Sequence, residues 1–165
     1  MTANIREIHS YSHSAEALFK VYTTADWIPK RYEAIGMRNI KVTSFTQTGD
    51  IWEVSTTRQV RAQAPRAIKK FAKDWNTINQ TEKWTKNGEV YECDLRVDIQ
   101  GVPVNMDGSM RIVSNETGIT NTIELFVSCT IPLLGKKVEN FVAGDTKTSI
   151  DQEYDWIKSF LDTQV

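Results

Sequence analysis

For about ninety residues, from Met37 to Cys129, apolar and polar residues alternate with a period of two, and no other feature of the chain constrains its fold so tightly. Successive side chains of a strand point to opposite faces, so this stretch reads as a run of strands sharing one buried face. Turn signals divide it at Gly49-Asp50, Asn87-Gly88, Gly101-Val102-Pro103 and Asn115-Glu116-Thr117-Gly118. The exception is Arg61 to Lys73, a longer connection containing Pro65, where a helical turn is expected at Ala67 to Phe71.

The faces can be checked against one another. Between Val90 and Ile99, the residues Tyr91, Cys93, Leu95, Val97 and Ile99 point one way, while Glu92, Asp94, Arg96 and Asp98 point the other. A fold at Gly101 sets Val97 opposite Met106 and Leu95 opposite Gly108, so Val104, Met106, Met110 and Ile112 join the apolar face. The next turn adds Ile123, Leu125, Val127 and Cys129, and a fold at Asn87-Gly88 adds Ile78 and Trp84. A slip of one residue would invert any of these strands, yet four in succession agree.

On either side the period is helical or mixed. Asn4 to His13 has strand character. Ser14 then caps a short helix with Glu16 in its first turn and Ala17, Leu18 and Val21 on its apolar face. Asp26 is placed to cap a second helix with Pro29 in its first turn, and Gly36 is placed to end it. After Pro132 helical spacing runs from Leu133 to Asp162, with a stripe of Val138, Phe141, Val142, Ile150, Tyr154, Ile157 and Leu161. The stripe is broken at Gly144 to Ser149, where a helix lying wholly on a sheet should be most apolar. The expected architecture is α+β: a seven-stranded antiparallel sheet wrapped around a long C-terminal helix, with two short helices after the first strand, in one domain over residues 1–165.

Twenty Lys and Arg stand against twenty-one Asp and Glu, a net charge of -1, so the basic excess of a nucleic-acid binder is missing. Met1 to Ser14 lacks the apolar core of a signal peptide, and no apolar run reaches the ~18 residues of a membrane span. Cys93 and Cys129 fall inside strand patterns and read as buried thiols of a reducing compartment, so a cytoplasmic location is expected. There is no phosphate loop and no nucleophile motif, and no cofactor is expected. His9 and His13 would suit a metal on a helix, but in a strand they are roughly 13 Å apart, so none is expected there.

Four segments carry a resemblance: Tyr22 to Gly36 (YTTADWIPKRYEAIG), Gln80 to Trp84 (QTEKW), Val102 to Met110 (VPVNMDGSM) and Ile131 to Ala143 (IPLLGKKVENFVA). With the order of elements, they resemble the START-related superfamily, which includes polyketide cyclases, lipid-transfer domains and the birch pollen allergen. Within it the chain resembles a bacterial family of uncharacterised proteins. The resemblance implies a helix-grip fold with an apolar cavity between sheet and long helix, used in the superfamily for lipids, sterols, hormones or polyketides.

Parity supplies candidates for such a site. Trp52, Val54, Cys93, Leu95, Met106, Met110 and Leu125 face inward from the strands, and Phe141 and Asp145 face them from the helix. Arg58, Gln80 and Glu82 fall on the same inner face, where a charge is costly unless paired. They read as groups orienting a ligand's polar end, as an internal salt bridge, or as a strand rim where the charges reach water. Asp145, with Thr148, either looks into the cavity or emerges into solvent. Three functions stay open: carriage of an apolar or amphipathic molecule; a cyclase or hydratase using Glu82 or Asp145 as base with a tyrosine such as Tyr91; and a protein-interaction module with a packed interior.

Overall fold

The computed structural model describes residues 3–62 and 64–164. Strand β1 (Ala3–Tyr11) leads into helices α1 (Ala15–Thr23) and α2 (Trp27–Glu33). Six strands follow: β2 (Arg38–Thr48), β3 (Ile51–Arg61), β4 (Trp75–Asn87), β5 (Val90–Ile99), β6 (Val102–Asn115) and β7 (Gly118–Cys129). Helix α3 (Gly135–Thr163) closes the chain. All pairings are antiparallel, in the order β1-β7-β6-β5-β4-β3-β2, so every hairpin neighbour in sequence is a neighbour in space and β1 returns to pair with β7.

The register is the one the apolar pattern demands. Val97 lies opposite Met106 and Leu95 opposite Gly108, Ile123 opposite Met110, and Trp84 opposite Cys93. Leu95, Met106, Met110 and Leu125 are each no more than 6% exposed, which settles which face is inward. Gly108 faces Leu95 on one neighbour and Leu125 on the other, and a Cβ there would meet the Glu124 carbonyl and the Leu125 side chain. The sheet closes in at that point because no side chain intervenes.

The helices follow local signals with two departures. Ser14 Oγ accepts from Ala17 N at 3.1 Å, the expected cap, and Glu16 pairs with Lys20 one turn on. Gly36, at φ 87°, ends the turn after α2 as expected. Asp26 precedes α2 but is itself helical (φ −74°, ψ −21°), so its carboxylate makes no capping bond. The turn expected at Ala67 to Phe71 begins one residue earlier, as a 3-10 turn at Arg66–Ile68, in which Ile68 N bonds to Pro65 O at 2.9 Å. Gln63, in the same connection, lies outside the described residues.

Helix α3 buries Val138, Val142, Ile157 and Leu161 against the sheet, and half-buries Phe141, Ile150 and Tyr154. Among the described residues no helix is long and apolar enough to cross a membrane. At the far edge β2 is mostly exposed. Its pairing with β3 is broken by register shifts between Arg38 and Lys41 and between Val42 and Ser44, with Asn39 at φ 51° inside the first.

Candidate functional site

Helix α3 packs chiefly on β1 and β7, so the inner face of the sheet is wider than it can cover, and the space left over is a cavity of about 360 Å³. Ligand pockets run from roughly 300 to 1,000 Å³, so a small molecule of modest size fits. Ile78, Leu95, Val97, Met106, Met110, Ile123 and Leu125 form its wall on the sheet side, and Val138, Phe141, Val142, Ile150 and Ile157 on the helix side. The lining residues that are exposed are Gly36, Arg61, Asp145, Thr148 and Gln152. They place the mouth between the end of α2, the end of β3 and the break in the stripe of α3. At that break α3 presents Asp145, Thr146, Thr148 and Ser149 to the cavity in place of apolar residues.

Nine of the twelve residues singled out from the sequence line this space: Arg58, Gln80, Glu82, Leu95, Met106, Met110, Leu125, Phe141 and Asp145. Three do not, although all face inward. Trp52 packs edge-on against Phe19 of α1, ring centroids 4.8 Å apart. Val54 lies beneath α2 with Ile28, Tyr32 and Met37. Cys93 is fully buried in the core beside Trp84 and Met110, and burial pushes its thiol well above the ordinary range. The short helices sheathe that end of the inner face, so being inward there means being in the core. Tyr91 belongs to the same sheath, stacked on Phe19 at 4.3 Å, and is no partner for a base in the cavity.

The polar end of the cavity is richer than the strand pattern suggests. Glu82 is 3% exposed and engages two donors, Trp84 Nε1 at 2.9 Å to one oxygen and Gln80 Nε2 at 3.0 Å to the other. Burial is the largest influence on its carboxyl and raises it above the ordinary range. Arg31 and the two hydrogen bonds pull the other way. Arg31, from α2, is 1% exposed, with Nε 3.1 Å from Glu153 Oε1 of α3 and its guanidinium carbon 4.5 Å from the Tyr22 ring and 4.7 Å from the Tyr32 ring. Burial alone would lower Arg31, but Tyr32, Glu153, Glu82 and Tyr22 around it hold it above its ordinary value. Arg58 covers Tyr32 as well, at 4.1 Å, and its Nε reaches Met37 Sδ at 3.2 Å. Two guanidinium groups and two carboxylates thus gather round one tyrosine ring. Arg31, Glu153, Tyr11, Tyr22 and Tyr32 all line the cavity, and none was singled out from the sequence.

At the mouth, partial burial raises the carboxyl of Asp145. His9 also lines the cavity, stacked on Tyr154 with ring centroids 4.0 Å apart. One ligand atom from each of Glu7, His9 and Asp151 falls within 4.8 Å of the others, a spacing that could hold a metal. Lys147 already bridges the two carboxylates, at 3.1 Å and 2.9 Å, and supplies their counter-charge. His13 points elsewhere and pairs with Asp162 at 3.1 Å.

The profile of one protein family, described as a protein of unknown function (DUF2505), matches residues 7–161, nearly the whole chain. The chain belongs to DUF2505. Among curated proteins no relative matches it. Several solved structures share the fold of this DUF2505 chain. Ara h 8.0201 superposes with a TM-score of 0.61 at 10% identity, over 99% of both chains. A STAR-related lipid transfer protein from Xanthomonas axonopodis gives 0.61 at 14% identity, over 94% of this chain and 85% of that one. A protein of unknown function from Staphylococcus aureus gives 0.65 at 9% identity, over 99% and 96%. Likeness at such identities is a likeness of fold: a seven-stranded antiparallel sheet curved round a long C-terminal helix.

Proposed function

We propose that this DUF2505 protein holds an apolar or amphipathic small molecule in the cavity between sheet and α3. The observation that carries the reading is the cavity of about 360 Å³, walled by Met, Leu, Ile and Val, whose mouth opens at the break in the stripe of α3. Methionines 106 and 110 are flexible and adapt to an irregular guest. Burying roughly 200 Å² of apolar ligand surface contributes about 5 kcal/mol at ~25 cal/mol per Å², before the costs of association.

Carriage is favoured over catalysis because Glu82, the best-placed buried carboxylate, has both oxygens engaged by Trp84 and Gln80. A working base must turn an oxygen to its substrate, whereas the two donors hold Glu82 against its own strand. An interaction module with a packed interior is disfavoured by the space itself. The free thiols of Cys93 and Cys129 suit a reducing compartment, which supports a cytoplasmic carrier.

The test is a titration with Nile red, a neutral dye that brightens in apolar surroundings, repeated with Met110→Trp. Binding at micromolar concentrations, lost in the variant while its melting temperature is kept, is the expected result. A dye that stays dark, together with a variant that unfolds, would make the interior an ordinary core.

A further inference from the structure

The buried polar end of the cavity is balanced in charge but unbalanced in hydrogen bonding. Arg31 and Arg58 are opposed by Glu82 and Glu153, and the imidazole of His9 on the wall is biased towards its neutral form by burial. Each carboxylate oxygen of Glu82 accepts one hydrogen bond, from Trp84 or from Gln80. Among the described residues, the buried polar atoms of the cavity wall that lack a partner are Nη1 and Nε of Arg31, Nη1 of Arg58 and the hydroxyl of Tyr11. Arg31 Nε at least has the charge of Glu153 beside it. Every one of these atoms can donate. Arg31 and Arg58 are 1% and 7% exposed, and both guanidinium groups rest on the Tyr32 ring at the same end of the cavity.

An unpartnered donor in such a place carries a full desolvation penalty, which an incoming acceptor removes. A carboxylate would bring an acceptor but also a third negative charge, leaving one charge buried without a counter-ion. At the mouth the charges of Asp145 and Arg61 are of opposite sign and leave that balance unchanged. We propose that the guest's polar end is a neutral oxygen acceptor, a ketone or ester carbonyl, which accepts from Nη1 of Arg31 and Nη1 of Arg58 while its hydrocarbon part lies along Leu95, Met106 and Met110. This rests on the binding reading above and adds the chemistry of the guest to it. The short helices supply the selectivity: Arg31 is carried by α2, and α2 also holds the Tyr32 ring on which both guanidinium groups rest.

The experiment displaces Nile red with three compounds of one chain length: heptyl methyl ketone, nonane and nonanoic acid, at neutral pH. The ketone should compete at about a tenfold lower concentration than nonane, the margin expected for one hydrogen bond from a charged donor, and should also outcompete the acid. Arg58→Met, which keeps the apolar stem against Met37, should bring ketone and nonane together. The carbonyl stretch of isotope-labelled ketone, measured by infrared difference on the wild-type protein, should lie at lower frequency than in hexane. That reading needs no variant to fold. Equal competition by ketone and nonane, or an unshifted carbonyl, overturns the assignment while leaving a cavity that binds. Tighter binding of the acid overturns it in favour of an anionic head. If Nile red does not bind and none of the three compounds raises the melting temperature, the binding reading and this one fall together.

Discussion

Trp84 and Glu82, two residues apart on the inner face of β4, meet across a 2.9 Å hydrogen bond from the indole Nε1 to a carboxylate oxygen. The contact fixes Glu82 against the wall and leaves its charge to be felt by Arg31 and Tyr32. Because burial raises the carboxyl, the folded protein prefers the protonated form more than the unfolded chain does. The stabilisation this brings is present below the ordinary value of 4.5 and is lost as pH rises from there through the folded value. In urea unfolding across that range, wild type should lose stability relative to Glu82→Gln, by up to about 1.4 kcal/mol per pH unit. A difference that does not change with pH would show that Glu82 titrates as an ordinary carboxyl.

His9 should give the opposite slope. Burial lowers it, against the pull of Glu7 and Asp151, so the folded state favours the neutral ring. That contribution is present above 6.5 and is lost as pH falls through the folded value. His9→Phe keeps a ring stacked on Tyr154 and removes the titration. Thermal melts below about pH 6.5 should therefore show a shallower acid loss in the variant. Parallel acid limbs would count against this.

Sheath and wall should separate experimentally. Val54→Ala removes buried atoms beneath α2 and should cost about 1–3 kcal/mol in unfolding free energy while leaving Nile red affinity unchanged. Phe141→Ala, on the cavity wall and half-exposed, should do the reverse: affinity falls severalfold and stability changes by less than about 1 kcal/mol. Equal effects of the two on binding would erase the boundary between core and site.

Gly108→Ala should be destabilising by about 1–3 kcal/mol, because the added methyl meets the Glu124 backbone, which cannot swing aside as a flexible side chain can. A neutral result in chemical denaturation would show that β6 and β7 can part slightly without loss.

A chain ending at residue 131 would lack α3 and expose the apolar face of the sheet. It should be insoluble, with the whole chain behaving as one cooperative unit. A soluble 1–131 fragment with a cooperative melt would instead make the sheet an independent unit.

Strand parity made most of the fold legible. A period of two admits only two choices of face per strand, and the turns at Gly101 and Gly118 tie those choices together, so Val97 opposite Met106 followed by counting alone. Parity says which way a residue points and nothing about what covers it. Trp52, Val54 and Cys93 point inward as Leu95 does, yet α1 and α2 lie over them. The angle at which a short helix crosses a sheet is not written in its own residues. Arg31 was missed for the same reason, since in a seven-residue helix beside Lys30 and Glu33 it reads as a solvated charge. Only the arrival of Glu153, more than a hundred residues later in the chain, turns it into a buried ion pair. One signal did exist: the tyrosines at positions 11, 22 and 32, spread over β1, α1 and α2, give a buried cation ring faces to rest on.

The irregular margin at β2 bears on how this protein behaves in a crowd. An open sheet ends in a row of free backbone groups, which a straight strand of another copy can copy and extend without limit. Two register shifts and a left-handed Asn39 confine the even part of β2 to Ser44 through Thr48, beside the hairpin turn, and shorten the ladder a neighbour could copy. Restoring an even ladder by deleting the bulged residues would give a tidier strand, and a protein that polymerises edge to edge at concentrations the natural one tolerates.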